Sequence, residues 1–279
     1  MGNFLGGIAG DVIGSVYEWH NVKRRGAVEF FKPGCKFTDD SVLTCAVADW
    51  LLHDSGHSNE GLAKRLKKYG KRHPNAGYGG MFRKWLNSDS IEPFNSFGNG
   101  AGMRCSAVGY YADTYEEAKE LAKKSAEVTH NHPEGIKGAQ AISCAIWMAR
   151  NGYDLGEIEA RIEEDFDYDF NNRIDQLVTV DKDGNIVSRA HGFDATCQVT
   201  VPEAIIAVVD SVSFEDAIDN AIFIGGDSDT IADMAGAIAG AYYGVPQWIQ
   251  EKTLSCLSDD LFDVVAEFED YIERKRSND

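Results

Sequence analysis

The amino-acid sequence predicts an all-α protein that carries one short β-hairpin. Apolar residues recur with helical spacing along most of the chain, Ser, Thr, Asp or Pro residues stand where these segments begin, and only one pair of β-branched runs is present. With 279 residues, 43% of them hydrophobic, the chain can bury a sizeable core. Because no linker, repeat or low-complexity segment divides it, we expect one compact domain over residues 1–279.

Capping residues locate the starts of the predicted helices. Side chains of Ser, Thr and Asp accept hydrogen bonds from the free N–H groups of a first helical turn, and proline suits the first helical position. The pattern from Thr114 to Glu117 is a capping box. We therefore predict helices over 41–53 and 114–128, from Pro133 to Met148, from Pro202, from Ser213, after Asp229-Thr230, and from Ser258 to about Arg274.

Residues 176–190 form the one segment with strand character. Two runs rich in β-branched residues flank Asp183-Gly184, a dipeptide that is typical of a tight hairpin turn. We predict a small hairpin that protrudes from the helical body.

Two segments, 6–15 and 234–244, are unusually rich in small residues. Glycine in a helix interior costs roughly 1 kcal/mol, so its use here needs a packing reason. We expect close helix–helix contact beside a crowded centre. Similar spacing occurs where helices pack in membranes, but both runs are short and flanked by acidic residues, which favours a protein core.

The composition excludes several classes of function. The formal net charge is −18, from 45 acidic residues against 27 Lys and Arg, and such a surface repels nucleic acids and anionic membranes. The six cysteines are scattered without a Cys-x-x-Cys pair, which argues against a zinc site or a redox motif. The N-terminus lacks the basic region of a signal peptide, and no apolar stretch approaches the roughly 20 residues of a membrane span. We expect a cytoplasmic protein with reduced thiols.

Two acidic clusters of similar composition stand far apart in the chain. Thr38-Asp39-Asp40 precedes the helix 41–53, and Asp227-Ser228-Asp229-Thr230 follows Gly225-Gly226, where the backbone can turn sharply. Adjacent carboxylates repel one another, and a hard divalent cation relieves that repulsion. Together the clusters offer six oxygen ligands, enough for two ions about 3.5–4 Å apart that activate a shared water. Plain helix capping is the alternative for either cluster alone.

A glycine-rich loop and a short histidine-containing segment lie between the clusters. Backbone N–H groups of a loop such as Gly98-Asn99-Gly100 can bind phosphate oxygens, although an ordinary glycine-rich connection is the alternative. The segment Thr129-His130-Asn131-His132 lies directly before Pro133. A histidine at a helix start is usually a cap or a surface residue, so His130 by itself predicts little.

Taken together, these segments resemble the ADP-ribosylglycohydrolase family, which includes hydrolases of ADP-ribosyl-arginine and of ADP-ribosyl-serine. The matches occur in family order from residue 10 to about 244, nearly the whole chain. Each motif is weak by itself, but the ordered set is highly specific. The matching segments are Gly10-Asp11 with Gly14, Tyr17 and Glu18, then Phe37 to Asp40, Gly77 to Gly79, Phe97 to Arg104, Thr129-His130, and Gly225 to Thr230.

The resemblance implies a compact, orthogonal all-α bundle with a binuclear Mg²⁺ (or Mn²⁺) centre. Its metal ligands would be Thr38, Asp39, Asp40, Asp227, Asp229 and Thr230. Its catalytic residues would be Asp39, Asp40, Asp229 and Glu18, with Glu18 at the end of the first helix. Its substrate-binding residues would be Ser96, Phe97, Gly98, Asn99 and Gly100 for the diphosphate and inner ribose, Gly79 for the distal ribose, and His130 as a further ligand contact. The 176–190 hairpin departs from the family pattern and is a candidate modifier of partner access.

The activity that the resemblance implies is hydrolysis of the glycosidic bond between ADP-ribose and an acceptor. ADP-ribosyl-arginine on a protein is the first candidate substrate. O-linked ADP-ribosyl-serine and small derivatives such as O-acetyl-ADP-ribose are the enzymatic alternatives, and a non-catalytic structural or binding relative is the third possibility. The intact set of acidic residues argues against the last. We expect a monomer or a weak homo-oligomer, with no nucleic-acid or membrane partner.

Overall fold

The computed structural model describes residues 2–277, and helices make up nearly all of the regular structure in this range. The all-α prediction is confirmed. In chain order the elements are α1 (Leu5–Gly14), α2 (Asp39–His53), α3 (Asn59–Arg72), α4 (Gly80–Leu86), α5 (Ser106–Tyr111), α6 (Tyr115–Glu127), α7 (Pro133–Arg150), α8 (Leu155–Phe166), α9 (Ile174–Leu177), β1 (Val178–Val180), β2 (Ile186–Arg189), α10 (Cys197–Val209), α11 (Phe214–Ile224), α12 (Ser228–Tyr243), α13 (Gln247–Cys256) and α14 (Asp259–Arg276).

Side-chain caps start several helices close to where the sequence predicts them, although α2 begins at Asp39, two residues before the predicted start at 41. The Thr38 hydroxyl accepts a hydrogen bond from the Asp40 N–H at the start of α2, and the Thr114 hydroxyl accepts one from Glu117 at the start of α6. Ser213 caps α11 in the same way. Each cap satisfies an N–H group that has no partner within its helix. The starts of these three helices therefore depend on residues within or next to their own first turns.

The predicted helix start at Pro202 is wrong. Helix α10 begins at Cys197, and Pro202 lies inside it. Proline removes the hydrogen bond that its N–H would have donated to the carbonyl four residues earlier, which belongs to Gln198. Gln198 is exposed, so water can satisfy that carbonyl. The first turn is also held from outside, because the Cys197 N–H donates to the Phe97 carbonyl over 3.1 Å.

Helices α1 and α12 pack against each other in antiparallel directions with almost no side chains between them. A Cβ atom at Gly10 would overlap the Ala232 carbonyl, and one at Gly6 would overlap the Gly236 carbonyl. At the far end, a Cβ atom at Gly14 would lie 2.6 Å from the Asp229 Cα. The predicted close contact of the two small-residue segments is thus confirmed. It brings the end of α1 to the acidic start of α12.

The hairpin predicted over 176–190 is confirmed as the antiparallel pair β1 and β2, with Gly184 at φ +80° in the turn. It does not protrude freely. The Ile186 N–H donates to the Lys23 carbonyl over 2.9 Å, and the Arg189 guanidinium donates to the Val22 carbonyl over 2.7 Å. The hairpin therefore supports the segment that follows α1.

The helices of residues 2–277 include none that is both long enough and apolar enough to cross a membrane. None of the six cysteines, all of which lie in the described part of the chain, is joined in a disulfide. That residues 1–279 form one domain stays a prediction.

Candidate active site

A cavity of about 620 Å³ lies where the end of α1, the starts of α2 and α12 and the glycine-rich loop meet. Its walls contain every residue that the sequence predicted for the site except Phe97. These lining residues are Glu18, Thr38, Asp39, Asp40, Gly79, Ser96, Gly98, Asn99, Gly100, His130, Asp227, Asp229 and Thr230. Residues far apart in the chain thus meet around one space.

Asp11 holds the start of α2 against α1. This carboxylate lies inside α1, is fully buried, and accepts hydrogen bonds from the backbone N–H groups of Thr38 and Ser41 over 2.9 and 3.2 Å. The Thr38 and Ser41 hydroxyls also donate to it. Burial raises the pKa of Asp11, and the hydrogen bond from Ser41 partly offsets that shift. Asp11 therefore sets the position of the Thr38-Asp39-Asp40 cluster relative to α1.

Carboxylate oxygens from both acidic clusters converge in two overlapping groups. One oxygen each from Asp11, Asp40 and Asp229 lie within 4.8 Å of one another, and the same holds for Glu18, Asp227 and Asp229. Among the described residues, Asp40 Oδ1 and Asp229 Oδ1 are buried without a hydrogen-bond partner. Unsatisfied buried anionic oxygens are costly, and a hard divalent cation is the ligand that such oxygens fit. The residues present are therefore suited to hold metal ions.

The sequence predicted that Glu18 lies at the end of the first helix, and this prediction is wrong. Helix α1 ends at Gly14, and Glu18 stands in the turn beyond it, half-buried beside Asp227. Burial and the neighbouring Asp227 carboxylate raise the pKa of Glu18 to about 7, although contact with the Trp19 side chain opposes this shift. Beyond Gly14 the chain turns instead of continuing the helix, and the Tyr17 N–H donates to the Gly14 carbonyl, three residues earlier, over 2.7 Å. Glu18 can therefore exchange a proton near neutral pH.

Burial and mutual repulsion raise the pKa values of the other cluster carboxyls. For Asp39, burial and the charge of Asp11 raise the pKa to about 8. Burial, followed by repulsion from Asp11, raises the pKa of Asp40 well above its usual range, and burial, followed by repulsion from Asp227, does so for Asp229. Without a cation, protonation is the way in which so many buried acids reduce their repulsion.

Metal-free protein is therefore expected to lose stability as pH rises from 6.5 to 8. The folded-state pKa values of Glu18 (about 7) and Asp39 (about 8) lie above their unfolded values of 4.5 and 3.8. Their protonation stabilises the folded state at low pH, and this contribution disappears as pH rises through 7 and 8. The melting temperature in EDTA, measured at both pH values, checks this.

Saturating Mg²⁺ should remove this loss of stability between pH 6.5 and pH 8, because the metal-bound carboxyls stay ionised over the whole range. An ion at about 100 times its Kd stabilises by ~2.7 kcal/mol, and it should stabilise more at pH 8, where it displaces fewer protons. A Mg²⁺-induced shift that is larger at pH 6.5 than at pH 8 would contradict the proposed coupling between the carboxyls and the metal.

The glycine-rich loop is attached to the second acidic cluster through Asn99. The Asn99 side-chain amide donates to Asp227 over 2.8 Å, and its backbone N–H donates to the Ala195 carbonyl over 2.9 Å. Gly98 and Gly100 both face the His130 ring, with Nε2 3.1 Å from a Cβ atom built at Gly100. Larger residues at Gly100 would therefore crowd the histidine and the cavity wall.

Phe97 is the one predicted site residue that the structure does not bring to the cavity. Its side chain is 46% exposed, and its ring packs on His132 with 5.4 Å between centroids. The adjacent residues Ser96 and Gly98 do line the cavity, so the loop turns the Phe97 side chain outwards. Alternation along an extended loop explains the difference, which the motif alone could not indicate.

His130 is held by a buried network that starts at Arg104. The Arg104 guanidinium is fully buried and donates to the Thr129 hydroxyl over 2.9 Å, and that hydroxyl lies 2.8 Å from His130 Nδ1. Arginine can only donate, so the hydroxyl proton is free to bond to Nδ1, and the imidazole then carries its own proton on Nε2. Burial, followed by repulsion from Arg104, holds the pKa of His130 well below its usual range. A neutral ring therefore presents an N–H donor towards the glycine-rich loop.

Replacing Thr129 by valine is expected to cost about 1–3 kcal/mol of unfolding free energy, because two buried polar groups lose their common partner. Chemical denaturation at pH 7.5 measures the loss. Thr129→Ser is the matched control, since it keeps the hydroxyl and removes only a methyl group. If the serine variant loses as much as the valine variant, the network contributes nothing beyond packing.

Sequence reasoning assigned no role to Asp11 or Arg104. The signal available for Asp11 was a lone acid inside an apolar, glycine-rich run, which indicates a buried charge with specific partners. Asp233 on α12 gives the same signal. It is fully buried, and within residues 2–277 neither of its carboxyl oxygens has a hydrogen-bond partner. Burial, followed by repulsion from Asp11, raises the pKa of Asp233 well above its usual range.

Known proteins resemble this chain in sequence over most of its length. The sequence profile of the family described as ADP-ribosylglycohydrolase matches residues 1–278. The mouse (Mus musculus) ADP-ribosylhydrolase ARH3 is 28% identical, and the alignment covers 95% of this chain and 89% of that protein. The ADP-ribosylarginine hydrolase Tri1 of Pseudomonas putida (strain GB-1) is 25% identical, with 94% of this chain and 77% of that protein covered.

A solved structure shares the fold. It is described as an ADP-ribosylglycohydrolase-related protein complex, superimposes with a TM-score of 0.68 at 19% identity, and covers 96% of this chain and 95% of that one. The likeness in fold and the family match over nearly the whole chain lead to one conclusion. The chain belongs to the ADP-ribosylglycohydrolase family and is a hydrolase of the glycosidase type.

Proposed function

We propose that this protein is a metal-dependent hydrolase that releases ADP-ribose from ADP-ribosyl-arginine on a protein. The observation that carries the proposal is a pair of carboxylate clusters, each of three acids and sharing Asp229, in a cavity whose wall also contains the glycine-rich loop. Tri1, a relative along 94% of this chain, is named for hydrolysis of ADP-ribosylarginine. We expect the activity in the cytoplasm.

Two divalent ions, Mg²⁺ or Mn²⁺, would be held by Thr38, Asp39, Asp40, Asp227, Asp229 and Thr230. When bound, they would supply positive charge for the ribose hydroxyls and lower the pKa of water near the anomeric carbon. They would also account for how a chain with a net charge of −18 accepts a diphosphate.

The protein's own residues contribute positioning and proton transfer. The backbone N–H of Gly100 is suited to bind a phosphate oxygen, and the Nε2–H of neutral His130 adds a donor beside it. The Gly98 N–H donates to the Ser96 hydroxyl over 3.1 Å. Glu18, half-buried next to Asp227, is suited to accept the proton of the attacking water as the glycosidic bond breaks. The acceptor nitrogen then leaves with the bonding electrons and takes up a proton.

The test is a matched assay of three substrates, ADP-ribosyl-arginine, ADP-ribosyl-serine and O-acetyl-ADP-ribose, with Mg²⁺ or with EDTA. We expect metal-dependent release of ADP-ribose, fastest from ADP-ribosyl-arginine. Turnover that persists in EDTA would refute the metal centre. Failure on all three substrates would refute the hydrolase function itself.

Action on O-acetyl-ADP-ribose or ADP-ribosyl-serine is the second candidate. It has support in the relatives named ADP-ribosylhydrolase ARH3, whose description specifies no acceptor. The metal centre and the glycine-rich loop would serve these substrates equally, because all of them share the ADP-ribose part. The acceptor must therefore be distinguished by other residues.

A further inference from the structure

Two large aromatic side chains stand exposed at the mouth of the cavity. Trp19 is 70% exposed and Phe193 is 52% exposed, and both line the cavity. Their rings are stacked, with 4.9 Å between centroids and 13° between planes. Aromatic surface of this size is rarely left open to water without a partner. The stack, defined here as Trp19 and Phe193, lies outside the roles assigned so far.

The stack lies at the end of the cavity that holds the carboxylates. Trp19 directly follows Glu18, and its side chain lies close enough to the Glu18 carboxylate to oppose the rise in the pKa of that group. An oxygen of Glu18 lies in turn within 4.8 Å of oxygens of Asp227 and Asp229. The stack is therefore adjacent to the group of acids that would hold a metal and take part in bond cleavage.

Contacts on both sides hold Phe193 in this position. It belongs to the connection between β2 and α10, which is bound at its start by Arg189 and near its end by Ala195. The Arg189 guanidinium donates to the carbonyls of Ile224 and Val22 over 2.9 and 2.7 Å, and the Ala195 carbonyl accepts from Asn99 over 2.9 Å. The hairpin thus brings to the site the aromatic ring of Phe193, which neither the acidic clusters nor the glycine-rich loop supplies.

The chemistry of the substrate decides which part of it meets the stack. In ADP-ribose, the adenine is separated from the anomeric carbon of the distal ribose by a ribose and a diphosphate. The bond to be cleaved must lie at the metals, so a feature in contact with Glu18 lies beside the acceptor and far from the adenine.

The charges around the stack favour a cation. Glu18 adjoins Trp19 and is not among the residues that would hold the metals, so its carboxyl oxygens can accept hydrogen bonds from a cationic donor beside the stack. Aromatic faces attract cations, and a guanidinium is planar, weakly hydrated and able to stack while it donates to carboxylates. A neutral serine or acetyl acceptor would gain neither interaction.

We propose that Trp19 and Phe193 form the acceptor subsite of this enzyme and that this subsite selects the guanidinium of an ADP-ribosylated arginine. This inference rests on the proposed hydrolase function. It assigns a role to the hairpin, which carries Phe193 to the site.

The test compares kcat/KM for ADP-ribosyl-arginine with kcat/KM for O-acetyl-ADP-ribose in variants of the stack. Trp19→Leu and Phe193→Leu should each lower the ratio of arginine to ester about tenfold, as expected for a loss of ~1.4 kcal/mol of cation–π attraction. Trp19→Phe keeps an aromatic face and should keep most of the ratio. Phe262→Leu, at an aromatic that is 37% exposed on α14, is the matched control and should not change the ratio.

Equal losses on the two substrates would overturn the inference, because the stack would then act on the shared ADP-ribose part or only through Glu18. A ratio that rises in either leucine variant would overturn it as well. If the wild-type protein turned over neither substrate, the hydrolase function itself would fail, which is a different result from an unchanged ratio. Trp19 and Phe193 are both largely exposed, so their replacement should not unfold the protein.

Discussion

Asp229→Asn is expected to lower kcat/KM about a thousandfold while leaving the protein folded. Asp229 is the one residue that belongs to both clusters of three acids, so replacing it removes a carboxylate from each cluster. Losing metal-dependent charge stabilisation worth several kcal/mol corresponds to a rate loss of roughly this size. Asparagine has nearly the same shape and stays neutral at a buried position whose Oδ1 has no hydrogen-bond partner among the described residues. The metal-free variant should therefore be at least as stable as the wild type.

Kinetics with Mg²⁺ and melting temperatures with and without Mg²⁺ check both parts of this prediction. The variant should lose most of the Mg²⁺-induced rise in melting temperature. Asp233→Asn is the matched control, because Asp233 is equally buried on the same helix but belongs to neither carboxylate group and does not line the cavity. If Asp229→Asn or Asp39→Asn kept wild-type rates, the assignment of these residues as metal ligands would be wrong.

Gly10→Ala is expected to destabilise the protein by about 3 kcal/mol, the upper part of the range for overpacking a well-filled core. The added methyl group would overlap the Ala232 carbonyl and lie 2.8 Å from the Asp233 N–H nitrogen, and neither backbone atom can move without displacing α12. Separation of α1 from α12 would also move Glu18 and Asp11 away from Asp229, so activity should fall together with stability.

Denaturant unfolding and the specific activity of the folded fraction measure the two effects. Gly156→Ala in the exposed first turn of α8 is the control, because its methyl group would meet only the flexible side chain of Asp154, at 3.3 Å. That variant should be neutral or slightly stabilised, since alanine favours a helix over glycine. Equal losses in the two variants would mean that the close contact of α1 with α12 is not the cause.

Local features of the fold were predictable because their physical causes lie within a few residues. The caps at Thr38, Thr114 and Ser213 satisfy N–H groups of their own first turns, and the hairpin turn needs only the positive φ that Gly184 adopts readily. The start of α10 was not predictable in this way. It depends on the Phe97 carbonyl, about a hundred residues away in the chain, and on solvent access at Gln198.

The same distinction between local causes and contacts of distant residues applies to the candidate site. The two acidic clusters, the glycine-rich loop and His130 can be recognised from composition and motif order, and the structure brings all of them except the Phe97 side chain to one cavity. The support around them was not recognisable. Asp11 matters because packing places it against Thr38 and Ser41, and Arg104 matters because packing places it behind Thr129.

The amino-acid sequence alone therefore determines that the chain is helical, which side chains have the chemistry to bind metal and diphosphate, and to which family the chain belongs. Tertiary packing decides how these side chains act together. Glycines in α1 and α12 bring two backbones into contact, so that Glu18 and Asp229 share one group of carboxylates. The hairpin brings Phe193 onto Trp19 at the mouth of the cavity. The reason is physical: each contact joins residues that are distant in the chain, and its free energy depends on burial that exists only once the helices have packed.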